Sequence, residues 1–62
     1  MEKIKTKLIS GQDLRRGDVL ASGDEVIDVH HDSEGTWIET FHGNCGYADG
    51  QTWRVRLPRP PR

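Results

Sequence analysis

The 62-residue sequence has a single cysteine, Cys45, which excludes an intrachain disulfide. It has no apolar run near the ~20 residues of a membrane-spanning helix, and its first residues lack the apolar core of a secretory signal. Aromatic residues make up only 6% of the chain. These absences predict one small soluble domain in the cytoplasm. A chain of this length buries only about 60% of its unfolded surface, so the core is small.

Lysine and arginine are missing from the middle of the chain. Residues 18–49 contain eight acidic residues and neither Lys nor Arg, whereas residues 1–17 and 50–62 have net charges of +3 and +4. A basic patch attracts phosphate, so nucleic-acid binding is one interpretation. The other is that the opposite charges neutralise each other across the fold. The overall net charge of −1 favours the second, because nucleic-acid-binding domains are typically basic.

Metal-binding and catalytic motifs are sparse as well. His30, His31, His42 and Cys45 are residue types that bind zinc, but adjacent histidines on a strand point to opposite faces and no Cys-x-x-Cys is present. The glycine-rich segment 42–50 lacks the Gly-Lys-Ser/Thr of a phosphate-binding loop. The pairing of Cys45 with His42 as nucleophile and base is disfavoured, since the chain is short for a substrate pocket. We therefore predict a non-enzymatic protein without metal or cofactor.

Short alternating runs separated by glycines predict strands rather than helices. The predicted strands cover residues 4–9, 18–21, 25–31, 36–41 and 52–57. Residues 32–35 form a hairpin loop in which Gly35 supplies a positive φ angle. Residues 10–17 make at most one helical turn, and residues 42–50 form a loop.

Five short antiparallel strands predict an all-β domain that curls into a small barrel, because closure hides the sheet edges and leaves a single core. Residues 1–57 form this domain. Residues 58–62, rich in proline and arginine, form an extended, frayed tail. The predicted core consists of apolar residues from every strand together with one turn leucine: Ile4, Leu8, Leu14, Val19, Ile27, Val29, Ile38, Trp53, Val55 and Leu57.

Residues 13–20, Asp-Leu-Arg-Arg-Gly-Asp-Val-Leu, resemble the Leu-x-x-Gly-Asp-x-aliphatic motif of SH3-like small β-barrels, including KOW-type domains. The resemblance, which extends over about residues 4–57, implies that Leu14 fills the floor of the barrel. It also implies that Gly17 permits a tight turn and that Asp18 accepts hydrogen bonds from backbone amides. The layout is similar to that of short accessory proteins of bacteriophages and actinobacteria. This implies an accessory or host-modulating role, in the host cytoplasm if a phage encodes the chain.

The segment 36–41 carries the main candidate site. Alternation places Trp37, Glu39 and Phe41 on one face of the predicted strand, and burying Glu39 unpaired would cost several kcal/mol. If Glu39 faces water, the two aromatic side chains are exposed with it and form an anchor for another protein. The alternative is a bulged strand that packs Trp37 into a minor core. We predict a partner-binding surface of Trp37, Glu39, Phe41 and His30, which is also suited to a homo-oligomer interface.

A basic strip is the alternative site. If the first and last strands are neighbours, Lys5 and Lys7 lie beside Arg54 and Arg56. Four cations on one surface suit contacts with nucleic-acid phosphates. The same charges are also a common way to solubilise a sheet edge.

Overall fold

The computed structural model describes residues 3–60. Within them lie five strands and a single 3₁₀ turn over Gly11–Asp13. The strands are β1 (Thr6–Ser10), β2 (Val26–Asp32), β3 (Gly35–Thr40), β4 (Cys45–Tyr47) and β5 (Thr52–Arg56). All strand pairings are antiparallel. The prediction of an all-β protein with five short antiparallel strands is confirmed.

The strands form two sheets that do not close into a barrel. One sheet pairs β1 with β5, and the other has the order β2-β3-β4. Single bridges from Val19 to Glu25 and from Leu20 to Val55 connect the two sheets. The predicted strand over 18–21 is therefore reduced to these two bridges. Because no pairing within residues 3–60 joins β1 to β4, the expected closure is wrong on that side.

The turn before these bridges contains Leu14, Gly17 and Asp18. Leu14 is buried, with 2% of its surface exposed. Gly17 has a φ angle of +97°, which favours glycine. The Asp18 carboxylate accepts a hydrogen bond from the backbone amide of Arg15 (2.9 Å). This turn leads directly into Val19 and Leu20, whose bridges connect the two sheets.

One apolar cluster lies between the two sheets. Its buried members are Ile9, Leu14, Val26, Ile38, Ala48 and Val55, with Leu20, Val29 and Trp53 packed against them. The predicted core positions Leu14, Ile38 and Val55 are confirmed as buried, and Val29 and Trp53 contact the cluster.

Five predicted core positions are wrong. Ile4, Leu8, Ile27 and Leu57 are exposed, and Val19 is half-buried outside the cluster. The side chains of β1 alternate in the phase opposite to the predicted one, because the register pairs Ile9 with Trp53 and Leu8 with Arg54. In β2, an irregularity between Val26 and Asp28 turns Ile27 outward and gives the core position to Val26.

The predicted loop over 42–50 contains β4, so that prediction is also wrong. The strand is short and is followed by Ala48, which is fully buried. The Trp53 indole donates a hydrogen bond to the Ala48 carbonyl (2.9 Å), which ties this segment to β5.

The tail is anchored rather than frayed where the structure describes it. The Arg59 guanidinium donates to both carboxylate oxygens of Asp18, from Nε at 3.0 Å and from Nη2 at 2.8 Å. It also donates to the Asp13 carbonyl (2.7 Å). The prediction of a frayed segment is therefore wrong at Arg59, and residues 61–62 lie outside the described part of the chain.

Candidate functional site

The outer surface of the three-stranded sheet brings together several predicted site residues. The register pairs Asp28 with Glu39, and it pairs His30 with Trp37. Opposite residues of an antiparallel pair project from the same side of the sheet. Continuing into β4, Trp37 lies opposite Tyr47 and Glu39 lies opposite Cys45. The resulting surface, here named the Trp37 face, consists of Asp28, His30, Trp37, Glu39, Cys45 and Tyr47.

Two aromatic rings in edge-to-face contact form the centre of the Trp37 face. The Trp37 and Tyr47 rings make an edge-to-face pair, with centroids 5.1 Å apart and planes at 83°. Trp37 is half-buried, Tyr47 is 41% exposed, and Glu39 faces solvent. The opposite side of β3 buries Thr36, Ile38 and Thr40. The strand therefore keeps Glu39 in water while Tyr47 covers part of Trp37.

Carboxylates surround this aromatic pair on two sides. On one side, His30 Nε2 lies 2.9 Å from Asp28 Oδ2. On the other, the Tyr47 hydroxyl donates to Asp32 Oδ2 and to Glu34 Oε2, both at 3.1 Å. Burial and then these two hydrogen bonds raise the pKa of the Tyr47 hydroxyl. With no Lys or Arg in residues 18–49, the surface is acidic.

Phe41 lies just beyond the end of β3. It is 74% exposed, and its ring contacts the His42 ring edge-to-face, with centroids 5.7 Å apart. Its amide donates to the Glu25 carbonyl (2.8 Å). Phe41 therefore belongs to the turn after β3 rather than to the paired rows of the Trp37 face.

The turn between β3 and β4 is held by a buried carboxylate. Asp24 Oδ1 accepts from the backbone amide of His42 (3.1 Å) and lies 2.8 Å from His42 Nδ1, while Oδ2 accepts from the side-chain Nδ2 of Asn44 (3.1 Å). The neighbouring Thr40 hydroxyl and these donors lower the pKa of Asp24 to about 2, against the opposing effect of burial. The cluster fixes the segment that leads into β4.

A cleft of about 370 Å³ runs along the inner side of β4. Leu20, Gln51 and Trp53 line it opposite the strand, and Ile38 contributes apolar surface from β3. Gly46 lines it from β4, where a Cβ atom would meet nothing within 4 Å. The cleft therefore occupies the open side of the incomplete barrel.

The predicted basic strip is divided between two faces. β1 and β5 are neighbours, as expected, but Arg54 lies opposite Leu8 and Arg56 lies opposite Thr6. Lys7 lies opposite the core residue Val55, on the other face of the sheet. Lys5 lies two residues before Lys7, and side chains two residues apart in an extended chain project to the same face. The expected single strip of Lys5, Lys7, Arg54 and Arg56 is therefore wrong, because residues of opposite phase cannot share one face.

The two arginines of β5 also make internal hydrogen bonds. Arg54 Nη1 donates to the Thr6 hydroxyl (3.1 Å), and Arg56 Nη2 donates to the Ala21 carbonyl (3.2 Å).

The described residues show neither a metal cluster nor a membrane-spanning helix. Among residues 3–60, no group of three or more His, Cys, Asp or Glu side chains is arranged to bind a metal ion. In the same range, no helix has the length and apolar character needed to cross a bilayer. Cys45 is an exposed free thiol.

No protein-family model, curated protein or solved structure matches this chain.

Sequence reasoning identified Trp37, Glu39 and His30 but missed Tyr47 and Asp28. Tyr47 reaches the face only because β4 pairs with β3. Asp28 lies two residues before His30 in β2 and shares its face by alternation, so the sequence alone could have identified it. The alternating triplet Cys45–Tyr47 is the signal for β4, and its central glycine weakens that signal.

Proposed function

We propose that this chain is a non-enzymatic, SH3-like interaction module that binds a basic segment of another protein on the Trp37 face. The observation that carries the proposal is the contact between half-buried Trp37 and exposed Tyr47, with carboxylates on two sides of the pair. Tryptophan and tyrosine are enriched where protein interfaces gain their affinity. Nothing in the described residues points instead to metal-dependent chemistry.

The chemistry of the face favours a partner with lysine or arginine. A cationic side chain over an aromatic ring gains about 0.5–2 kcal/mol, depending on how far it is desolvated. The carboxylates of Asp28, Asp32, Glu34 and Glu39 add attraction and orientation. Exposed ion pairs are individually weak, so these charges serve mainly to select the partner and to speed association. The aromatic pair contributes more to the affinity than these charges do.

The biological role that fits such a module is accessory. The motif at 13–20 resembles that of SH3-like small barrels, and the layout of the chain is similar to that of short accessory proteins of bacteriophages and actinobacteria, which supports a host-modulating role in the cytoplasm. We do not propose nucleic-acid binding as a second function, because the register separates the four cations of the predicted strip.

The test is selection of peptides from a random library by the immobilised chain. We expect the selected peptides to be enriched in Lys and Arg over Asp and Glu. Trp37→Ala removes the central ring and should weaken the best peptide by more than about tenfold, the scale of an interface hot spot.

The matched control is Leu8→Ala, which shortens an exposed apolar side chain on the other sheet and should leave affinity unchanged. Circular dichroism verifies that both variants are folded. Enrichment of acidic peptides, or unchanged binding by folded Trp37→Ala, would contradict the proposal.

A further inference from the structure

The outer edge of β4 offers unpaired backbone groups. The Ala48 amide donates to the Thr36 carbonyl (2.9 Å), and the Thr40 amide donates to the Asn44 carbonyl (2.8 Å). Hydrogen-bonded pairs alternate along an antiparallel ladder, so Gly46 faces β3 while Cys45 and Tyr47 direct their N–H and C=O groups away from it. Within residues 3–60, no strand pairs with that side. Such an edge is a template for an added strand.

A strand added to this edge would present its side chains to two different environments. Side chains of alternate residues point to opposite faces of a sheet. One set would extend the row of Tyr47 and Trp37 beside the carboxylates. The other set would enter the cleft of about 370 Å³, where Leu20, Ile38 and Trp53 supply apolar surface. Gly46 keeps the near wall of that cleft free of a side chain.

We infer that the partner segment binds as an extended strand antiparallel to β4, with basic and apolar residues in alternation. This inference rests on the proposed function and specifies the geometry of the same partner. The basic residues lie over the acidic Trp37 face, and the apolar residues fill the open side of the barrel. Main-chain hydrogen bonds supply affinity and the two sets of pockets supply sequence preference, as in other cases of strand addition.

The pairing geometry identifies which peptide amides bind. Cys45 and Tyr47 point their backbone groups outward, so each forms a hydrogen-bonded pair with the peptide residue directly opposite. Directly opposite residues share a face, and Cys45 and Tyr47 lie on the Trp37 face. The basic residues of the peptide therefore contribute the amides that bond to β4. The apolar residues direct their amides to the other side.

The probe is the capped heptapeptide Lys-Val-Lys-Val-Lys-Val-Lys, titrated by calorimetry. Its block isomer Lys-Lys-Lys-Lys-Val-Val-Val has the same charge and composition, and we expect it to bind at least about tenfold more weakly. N-methylation of a central lysine amide should abolish binding of the alternating peptide. N-methylation of the central valine amide should leave the affinity unchanged.

The protein variant Gln51→Trp fills the cleft from an exposed position and should weaken the alternating peptide by about tenfold or more. Its matched control is Gln12→Trp, an exposed glutamine in the 3₁₀ turn that does not line the cleft. The control should bind as the wild type does. Equal binding by Gln51→Trp and Gln12→Trp would overturn the placement of apolar residues in the cleft.

The outcomes separate this inference from the proposed function. If both heptapeptides bind equally, need Trp37 and tolerate lysine N-methylation, the module binds basic segments and the strand geometry is overturned. If neither binds and the library selects no basic peptide, both fail. Residues 3–8 of the chain also alternate basic and uncharged residues. Concentration-dependent self-association that Gln51→Trp abolishes would therefore overturn the choice of another protein as the occupant.

Discussion

At the scale of single residues, Gly11 lies closer to a neighbouring backbone than any other glycine of the described residues. This glycine is buried at the end of β1, and its amide donates to the Gln51 carbonyl (3.2 Å). A Cβ atom at this position would overlap the carbonyl carbon and oxygen of Ala48. Glycine is therefore required by space rather than by a left-handed backbone, and the contact brings the segment after β4 against β1.

Gly11→Ala is expected to destabilise the protein by about 1–3 kcal/mol or more, as overpacking does elsewhere. The backbone carbonyl of Ala48 has no rotamer by which to move aside, so the strands themselves must separate. Urea unfolding monitored by tryptophan fluorescence measures the effect. Gln12→Ala, at the exposed neighbouring position, is the control, and equal midpoints for the two variants would contradict the close approach.

At the scale of elements, the existence of strands is more predictable than their phase. The alternation of Trp53 and Val55 is clear, and β5 was predicted nearly residue for residue. In β1, both phases offer apolar residues, and only pairing with Trp53 selects Ile9 over Leu8. In β2, the irregularity after Val26 reverses the phase, and no local signal in the sequence marks it.

An ion pair attaches the segment after β5 to the turn that precedes the bridges of Val19 and Leu20. Asp18 is fully buried, and Arg59 donates two hydrogen bonds to its carboxylate. Burial acts to raise the pKa of Asp18, but the hydrogen bonds from Arg59 and the Arg15 amide, with the charges of both arginines, lower it overall. The ion pair therefore joins two elements that are 41 residues apart in sequence.

A double-mutant cycle tests the ion pair between Asp18 and Arg59. Breaking a buried pair by removing one partner costs about 3–5 kcal/mol, because the remaining charge is left uncompensated. Arg59→Met should therefore be strongly destabilising, and Asp18→Asn/Arg59→Met should be more stable than Arg59→Met alone. Thermal unfolding of Asp18→Asn, Arg59→Met and the double variant, each compared with wild type, measures the coupling. Additive losses would show that Arg59 does not compensate the Asp18 charge.

At the scale of the whole molecule, the acidic block of the sequence contributes to one surface, whereas the basic residues are divided between two faces. Asp28 and Glu39 lie on the Trp37 face, and Asp32 and Glu34 lie beside Tyr47. The acidic character of this face follows from composition and alternation. The contact between Trp37 and Tyr47 could not be predicted in this way, because Tyr47 belongs to a three-residue strand whose pairing is set by tertiary contacts. The prediction of a single basic strip was wrong for the same reason. Composition shows where the cations lie along the chain, but only the strand register determines which face of the sheet each one occupies.

A small fold of this kind has a total stability of only about 3–9 kcal/mol at ordinary per-residue values. Single buried carboxylates therefore influence the stability of the whole molecule. Two of them, Asp18 and Asp24, have a pKa below the ordinary value of 3.8 in the folded protein, and that of Asp24 is about 2. A lowered folded-state pKa means that the unfolded chain binds protons first as the pH falls.

We therefore expect that protonation of Asp18 and Asp24 at low pH lowers the free energy of unfolding of this protein. Their contribution to the free energy of unfolding is complete above the unfolded-state pKa near 3.8 and is lost as the pH falls through their lowered folded-state pKa values, of which that of Asp24 is about 2. Asp24→Asn removes one of them, so the variant is less stable than wild type at neutral pH, and the difference narrows toward low pH. Urea unfolding between about pH 7 and pH 2 measures both curves. Glu25→Gln, an exposed neighbour, should run parallel to wild type, and a constant gap for Asp24→Asn across the range would show that the ionised Asp24 carboxylate does not stabilise the fold.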